Sequence, residues 1–460
     1  MFNQPNHIKI GFCIVISLFQ QLNAQTLSFT DAYERMYHDN NSLKVVYKQN
    51  ETQQYITKSI KGLRYPSLNA YATGIVFDRS LKEGFNNARN GLANFLNLPN
   101  PSILGNWSIP IAKKEMAFAG FNAVWPIFTG GKINAAVKVG EIETEISAKT
   151  IIGTENHLIS ELTQRYFQVK LADEALIVRK QVLDGMKKHL YNATKLEENG
   201  IIAPVEKLVA DVAVSESNRE VLAAEKDIKI ARSALANTLA TDDIKDNLTS
   251  DFFEIIDLNS LEFYKQSAIN NYPELQKIIL QKDLADQGVK AKKSIYYPTV
   301  AAFGQTILLH NNPIGLGVLD SSRERPWAVG IGVTYNLFDG FKNKNELKAA
   351  ITTRESIDFL EAKAKKDVIT LVENLYFEIQ KSQEEIENLK VQEKLASEVI
   401  RVRSKAFSEG LSTSTDVIDA ENNLSIIRLL ILSSQYAYTV SFANLLEFSG
   451  LSKEFLNYTN

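Results

Sequence analysis

Residues 342 to 407 form a stretch of 66 residues without proline or glycine, the two residues that most disfavour a helix interior. A continuous α-helix of that length is about 100 Å long, because each residue adds about 1.5 Å. Helices in globular domains are usually far shorter. The sequence therefore predicts a mainly helical protein built around helices too long for one globular core.

Apolar residues follow a seven-residue repeat within this stretch. Ten positions from Val368 to Ile400 step alternately by four and three residues, and eight of them are apolar. The ten positions found 210 residues earlier, from Leu158 to Leu190, are again apolar in eight cases. A repeat held this long indicates left-handed coiled-coil packing. Lys, Glu and Gln dominate the other positions, which indicates a solvated face.

The chain is a tandem repeat. Leu43 and Pro66 are 23 residues apart, as are Leu275 and Pro298, and the two pairs are offset by 232 residues. From Phe128 through Gly200 the offset is 210, and it is 207 at Ala236 and Ala443, so the first copy carries about 22 extra residues between its two strands. We predict a first repeat at 25–258 and a second at 259–460.

Each repeat is expected to have the same order of elements. A helical stretch of about 35 residues is followed by a strand, a loop, a second strand, a very long helix, a glycine turn and a third helix. The predicted bounds are 28–63 and 260–295 for the opening helical stretches, about 66–78, 116–128, 298–309 and 327–338 for the strands, and about 132–198 and 342–408 for the long helices.

The predicted strands are about 10 residues long and alternate in character, which is the weak signature of a transmembrane β-barrel. Trp327, Val329 and Ile331 alternate with small residues, and Tyr71 and Phe303 are taken as members of the same outward apolar face. Four strands cannot close a barrel, so copies must share one, and only three copies leave an aqueous lumen. A hairpin on a soluble core fits the strands equally well.

Residues 1–24 have the layout of a secretory signal peptide, with Lys9 before an apolar run that contains Cys13. Cleavage would leave a mature chain without cysteine, since Cys13 is the only one. After residue 25 no run of apolar residues reaches the 18 that a transmembrane helix needs. Export without disulfides fits a bacterial periplasm or outer membrane.

Composition and motifs exclude several classes of protein. A net charge of −3 gives no basic footprint for nucleic acid. One cysteine and five scattered histidines indicate neither a disulfide framework nor a metal site. The sequence around Gly130 and Lys132 lacks the spacing of a phosphate-binding loop. We therefore predict no catalytic residues, no cofactor and no enzyme activity.

The pattern resembles the TolC-like outer-membrane efflux proteins over nearly the whole mature sequence. The resemblance rests on the paired openings around Leu43 and Leu275, the strand starts at Pro66 and Pro298, and above all the segment 410–420, GLSTSTDVIDA. It implies a homotrimer in the bacterial outer membrane, with a twelve-stranded β-barrel on a periplasmic α-helical barrel.

The resemblance also implies a function and partners. The protein would be the passive exit duct of a tripartite efflux pump or a type I secretion system, for small molecules or proteins. Its partners would be a periplasmic adaptor, an inner-membrane pump and outer-membrane lipid. Residues 78–114 and 310–326 would be extracellular loops. The alternative is a periplasmic coiled-coil structural protein without a pore.

By the same resemblance, Asp416 and Asp419 would form the periplasmic entrance constriction. Their i, i+3 spacing puts both on one helix face, although an acidic pair that merely favours a helix start has the same spacing. Some family members close the entrance with an arginine where this chain has Ser412. The residues expected at the adaptor-docking helix tips are Gly200, Pro204, Gly410 and Thr413.

Overall fold

The structure is a computed structural model that describes residues 26–254, 258–310 and 327–459. The predicted signal peptide, and all of the second predicted loop except His310, lie outside these residues. The chain divides into two compact units, each drawn from both sequence repeats. The helical unit comprises the chain up to Lys44, Thr154–Tyr272 and the chain from Val368, and the sheet unit comprises Val45–Gly153 and Pro273–Asp367. The predicted repeat boundaries at 25–258 and 259–460 stay a prediction.

Nine α-helices account for most of the described residues. They are α1 (Phe29–Asp39), α2 (Asn41–Gly62), α3 (Asn86–Phe95), α4 (Lys132–Glu198), α5 (Pro204–Thr238), α6 (Leu261–Asn271), α7 (Pro273–Lys293), α8 (Lys342–Ser408) and α9 (Ser414–Phe448). The helices α4 and α8 have 67 residues each, and α5 and α9 have 35 each.

The opening stretch of each repeat, predicted as one helix of about 35 residues, is two helices. The backbone is extended at Asn40, between α1 and α2, and at Tyr272, between α6 and α7. The side chain of Asn40 accepts hydrogen bonds from the first amides of α2, and Tyr272 is kept out of the helical region by Pro273. The cap residue Asn40 in the first copy and Pro273 in the second therefore interrupt the helix at equivalent places.

The seven-residue repeat marks the buried side of the long helices in the helical unit. Between Val368 and Ile400, every buried residue of α8 occupies one of the ten predicted positions. None of the ten equivalent positions in α4 is exposed. The predicted coiled-coil face of each long helix is confirmed.

An aromatic cluster forms the centre of the helical unit. The ring centroid of Phe29 lies 5.5 Å from that of Tyr166 and 5.1 Å from that of Phe455. The hydroxyl of Tyr166 donates a 2.7 Å hydrogen bond to the Leu27 carbonyl. Leu27 belongs to the two-residue strand β1 (Thr26–Leu27), which pairs in parallel with β6 (Asn247–Leu248). The start of the described chain is thereby fixed to the core.

The sheet unit holds one four-stranded antiparallel sheet and a small hairpin. The strands are β2 (Ser67–Val76), β5 (Glu115–Phe128), β7 (Thr299–His310) and β8 (Trp327–Thr334) in the sheet, in the order β2-β5-β7-β8, and β3 (Leu81–Gly84) and β4 (Ser108–Ala112) in the hairpin. The last strand ends at Thr334, four residues before the predicted end at 338.

The register divides the sheet into an apolar face and a mixed face. Paired residues point to the same side, so Trp327 shares a face with Thr306 and Phe121. Among the described side chains, Thr306 is the one uncharged polar residue of that apolar face, and Glu115 lies at its end. The apolar face contains Leu68, Ala70, Ala72, Gly74, Val76, Ala117, Ala119, Phe121, Ala123, Trp125, Ala302, Gly304, Leu308, Trp327, Val329, Ile331 and Val333.

On the mixed face, the structure differs from the sequence-based prediction for two aromatic residues. Tyr71 and Phe303 lie on the face opposite Trp327, and not on the outward apolar face to which they were assigned. They share that face with a row of amides, Asn69, Asn122 and Gln305, at one level of the sheet. Glycines leave space for the aromatic rings: a Cβ at Gly330 would lie 2.7 Å from the ring of Phe303, and one at Gly120 would lie 2.9 Å from the Tyr71 hydroxyl.

The segment 78–114 between β2 and β5 has a fold of its own. It contains the hairpin β3–β4 and the helix α3, which the sequence analysis predicted only as a loop. Arg89 on α3 donates a 2.7 Å hydrogen bond to the Gly105 carbonyl, and the Trp107 amide donates a 3.0 Å hydrogen bond to Asn86. These contacts hold α3 against the chain that returns to the sheet. We call residues 78–114 the insert.

Among the helices that the structure describes, only α9 has the length and composition of a membrane span. Core helices pass the same test, and Tyr438 and Phe442 on α9 are buried in the aromatic cluster near Phe253. Charged residues such as Asp416 and Arg428 interrupt its apolar residues. We therefore assign α9 to the core of the helical unit.

Candidate functional site at the helix turns

Two equivalent turns connect α4 to α5 and α8 to α9. In each, a glycine with positive φ follows the helix, Gly200 at 69° and Gly410 at 76°. The next residue closes the end: Ile201 N–H donates to the Leu196 carbonyl and Leu411 N–H to the Ala406 carbonyl, both at 2.8 Å. This is the Schellman motif, which favours glycine because other residues are strained at positive φ. The predicted glycine turns thus have a common backbone geometry.

Asp416 caps the start of its own helix. Its carboxylate accepts hydrogen bonds from the Thr413 backbone amide at 3.0 Å, the Thr413 hydroxyl at 2.8 Å and the Ser412 hydroxyl at 3.0 Å. The Thr413 hydroxyl in turn accepts from the Asp416 amide at 3.2 Å, which completes a capping box. The hydrogen bonds from Thr413 and Ser412 lower the pKa of Asp416 to about 2. Asp416 is therefore ionised and held in place.

An arginine does approach this turn, but from α8. Arg403 Nη1 lies 3.3 Å from Asp416 Oδ1. The family resemblance predicted an arginine only near position 412, where the Ser412 hydroxyl instead donates to the capping carboxylate. The available signal was that Arg403 precedes the turn by less than two helical turns, on the chain that runs antiparallel to the start of α9.

Asp419 differs from Asp416 in its surroundings. It is exposed, and among the described residues it forms no hydrogen bond or ion pair. The structure thus places the two predicted constriction residues one turn apart on α9. The carboxylate of Asp416 is hydrogen-bonded and ion-paired, whereas that of Asp419 has no partner among the described residues.

Glu206 occupies the position in the first copy that Asp416 occupies in the second. It cannot form a capping box with its own helix, because the N-cap residue there is Ala203, which has no side-chain acceptor. Its carboxylate instead accepts a 2.7 Å hydrogen bond from the backbone amide of Ser414, the first residue of α9. The side chain thereby connects the two turns.

A small core lies beneath the turns. It consists of Ala193, Ala210, Phe407 and Val417, one from each of the four helices that meet at this end. The ring of His189 lies 4.5 Å from that of Phe407, and its buried Nε2 has no partner among the described residues. Burial lowers the pKa of His189, so the side chain is neutral in this core.

Further along α9, Glu421 is half-buried against a glycine of α4. A Cβ at Gly185 would lie 3.0 Å from Glu421 Oε1, so the glycine leaves room for the carboxylate. Burial raises the pKa of Glu421. The neighbouring Arg428 donates hydrogen bonds to Glu393, at 2.8 Å, and to Gln181, at 3.0 Å.

The surface of the turns is partly apolar. All four predicted docking residues, Gly200, Pro204, Gly410 and Thr413, are exposed. Large apolar side chains accompany them: Leu411 is 78% exposed, Leu208 61% and Ile201 56%. Within the described ranges, no group of three or more His, Cys, Asp or Glu side chains could hold a metal ion. The turns thus present carboxylates and exposed apolar side chains at one end of the helical unit.

Solved structures of outer-membrane proteins have the same fold. A membrane protein from Pseudomonas aeruginosa matches with a TM-score of 0.77 at 15% identity, over 93% of this chain and 91% of that one. The outer membrane protein VceC from Vibrio cholerae matches with a TM-score of 0.75 at 14% identity, over 92% and 96%. The Campylobacter jejuni CmeC outer membrane channel matches with a TM-score of 0.75 at 13% identity, over 92% and 86%.

Sequence comparison with curated proteins gives no match. The family described as outer membrane efflux protein matches residues 112–241 and 265–451, well over half of the chain. Members of this family are channels and not enzymes. The sequence-based predictions of the family, the mainly helical fold with a small β part and the outer-membrane location are confirmed. The chain belongs to the outer membrane efflux protein family and is an outer-membrane efflux channel, not a coiled-coil structural protein without a pore.

Proposed function

We propose that three copies of the chain form one exit duct, in which each contributes four strands to a twelve-stranded barrel. The observation that carries this proposal is the sheet itself. Its apolar face is continuous across all four strands, and its outer strands β2 and β8 have free edges among the described residues. Unpaired backbone groups cannot remain exposed to lipid, so each edge must meet an edge of another copy.

The strand directions suit this closure. Neighbouring strands are antiparallel throughout the sheet, so β2 and β8 run in opposite directions. Placing β8 of one copy beside β2 of the next continues the alternation without a break. The apolar face, with Trp327 and Trp125, then contacts lipid. The mixed face, with Asn69, Asn122 and Gln305, lines the lumen.

The helix turns form the periplasmic entrance in this proposal. Asp416 and Asp419 from three copies place six carboxylates around the opening, where they attract cations. The exposed turns around Gly200, Pro204, Gly410 and Thr413 are the surface for a periplasmic adaptor, which links the duct to an inner-membrane pump. The cargo is chosen by that pump, so the duct serves efflux or secretion without a catalytic step.

Conductance tests the proposed duct. Purified protein added to planar bilayers should give discrete ion-conducting steps, since three copies enclose a water-filled lumen. A mature chain that stays soluble without detergent and never conducts would contradict the proposal.

A further inference from the structure

The insert differs in charge from the rest of the chain. It holds five cations and two anions, a net charge of +3, while the whole chain carries −3. Arg79, Lys82 and Lys114 are exposed. Arg89 is instead used within the insert, where it donates to the Gly105 carbonyl. Arg79 lies 3.9 Å from Asp78 in an exposed ion pair, which contributes little. The exposed positive charge thus lies around the base of the insert, close to the end of β2 and the start of β5.

The helix of the insert has an apolar face without a partner among the described residues. Leu92, Phe95 and Leu96 have the i, i+3, i+4 spacing of one helix face, and they are 40%, 83% and 52% exposed. Asparagines at 86, 87, 90 and 94 occupy the opposite side, and only Ala93 is buried against the rest of the insert. A short helix with an aromatic apolar face beside basic residues is typical of segments that lie in a membrane surface.

The length of β2 places the insert at that surface. Its 10 residues extend for about 33 Å, enough to cross the apolar part of an outer membrane at a tilt. Val76, its last residue, is 72% exposed on the apolar face. Asp78 and Arg79 follow immediately, at the level of the lipid headgroups. The insert leaves the sheet at the end opposite the one that leads into the long helices.

We propose that the insert binds the anionic headgroups of the outer leaflet, with the apolar face of α3 in the lipid and Arg79, Lys82 and Lys114 on the phosphates. The inference rests on the proposed membrane position of the sheet. Basic residues gain from an anionic surface by roughly a fivefold increase in binding each. The channel is thereby held at a fixed depth by a lipid-specific contact. The corresponding loop of the second repeat is about 22 residues shorter.

Native mass spectrometry of the detergent-solubilised channel tests this directly. The probes are phosphatidylglycerol and phosphatidylcholine with identical acyl chains. We expect a clear preference for phosphatidylglycerol, which falls about a hundredfold in the variant R79Q/K82Q/K114Q, because each removed charge costs about fivefold. The control variant K180Q/K187Q/K188Q removes three exposed lysines of α4 and should keep the preference. Equal losses in the two variants would overturn the proposal.

Two further measurements keep the test independent of any one variant. In the wild type, the preference should weaken as salt is raised, because salt screens exposed charges. Serine at both Leu92 and Phe95 should reduce binding of both lipids, and unchanged binding would remove α3 from the contact. Inorganic phosphate can also be added as a competitor, with a non-phosphate salt of equal ionic strength as the control. Displacement of the lipid by phosphate alone would indicate a phosphate site and overturn the lipid assignment.

Other outcomes separate this inference from the proposed assembly. The same spectra report the number of chains, so a monomer that keeps its lipid preference would contradict the shared barrel but not the lipid contact. A trimer without headgroup preference would contradict the lipid contact but not the shared barrel. Disulfide-linked multimers of Phe95→Cys on intact cells, together with absent preference, would assign the apolar face to neighbouring copies instead.

Discussion

Single residues carry differences between the two copies that the common fold conceals. The turn after α5 has the same Schellman geometry as the turn after α9, but the residue at positive φ is Ala240 in the first and Gly450 in the second. Alanine in this conformation is strained by about 1–2 kcal/mol. Position 240 is therefore a weak point at the end of α5.

We expect Ala240→Gly to stabilise the protein by about 0.5 kcal/mol, since relief of strain exceeds the entropy that glycine adds to the unfolded chain. Denaturant unfolding in detergent measures the change. Gly450→Ala is the matched opposite, and it should destabilise by more, because its Cβ would lie 2.7 Å from Asn271. Destabilisation by both changes would contradict the argument.

The cap at Asp416 makes the start of α9 sensitive to acid. Its pKa of about 2 lies below the ordinary value of 3.8, so the carboxylate stabilises the fold above about pH 4. That contribution is lost as the pH falls from about 4 to about 2. Unfolding measured across this range should depend less on pH in Asp416→Ala than in the wild type. An identical pH dependence in the two proteins would show that this cap contributes nothing.

At the entrance we expect Asp419 to contribute more than Asp416 to cation preference and to block by divalent ions. Arg403 partly neutralises Asp416, whereas Asp419 has no partner among the described residues. Asp419→Ala should therefore reduce cation preference and block by divalent ions more than Asp416→Ala, and the double variant should lose both. Single-channel recording measures the effect. Unchanged selectivity in the double variant would place the constriction elsewhere, with Glu206 and Glu421 as the next candidates.

The sequence was informative about these residues only in part. The acidic pair and the turn glycines follow from local pattern and resemblance. The ion pair with Arg403 and the reach of Glu206 to Ser414 depend on how helices meet across the turns. No local spacing determines such contacts, because side chains from different helices are brought together only by tertiary packing.

Among the elements, helices were easier to predict than strands. The bounds of α4 and α8 follow from a long stretch without proline and from glycine at each end. The faces of the strands could not be assigned from the sequence, because both sides carry aromatic residues and period two alone does not say which residues of different strands share a face. Pairing decides this: Phe303 lies opposite Gly330, and therefore on the face away from Trp327.

At the helix turns, the contact between Glu206 and the first amide of α9 is open to test. Removing the acceptor with Glu206→Ala should raise hydrogen exchange in peptides covering 411–420 by about tenfold, since a hydrogen bond to a charged group is worth roughly 1.5–3 kcal/mol and this one is partly solvated. Glu206→Gln keeps a carbonyl acceptor and should show a smaller change. Exchange that is the same in all three proteins would remove Glu206 as the connection between the turns.

At the scale of the whole molecule, the orientation gives a prediction on intact cells. The proposed topology puts the insert outside and the helix turns in the periplasm. The mature chain predicted from the sequence has no cysteine, so Asn90→Cys should react with an impermeant maleimide and Asn199→Cys should not. Reaction at 199 without reaction at 90 would invert the orientation.

The central claim is that the four-stranded sheet is incomplete until other copies close it. The mass of the detergent-solubilised protein, measured on the same sample that conducts in planar bilayers, tests this most directly. The account predicts three chains in each conducting particle, because β2 and β8 leave two free edges that lipid cannot satisfy. A stable monomer that inserts and conducts would contradict it.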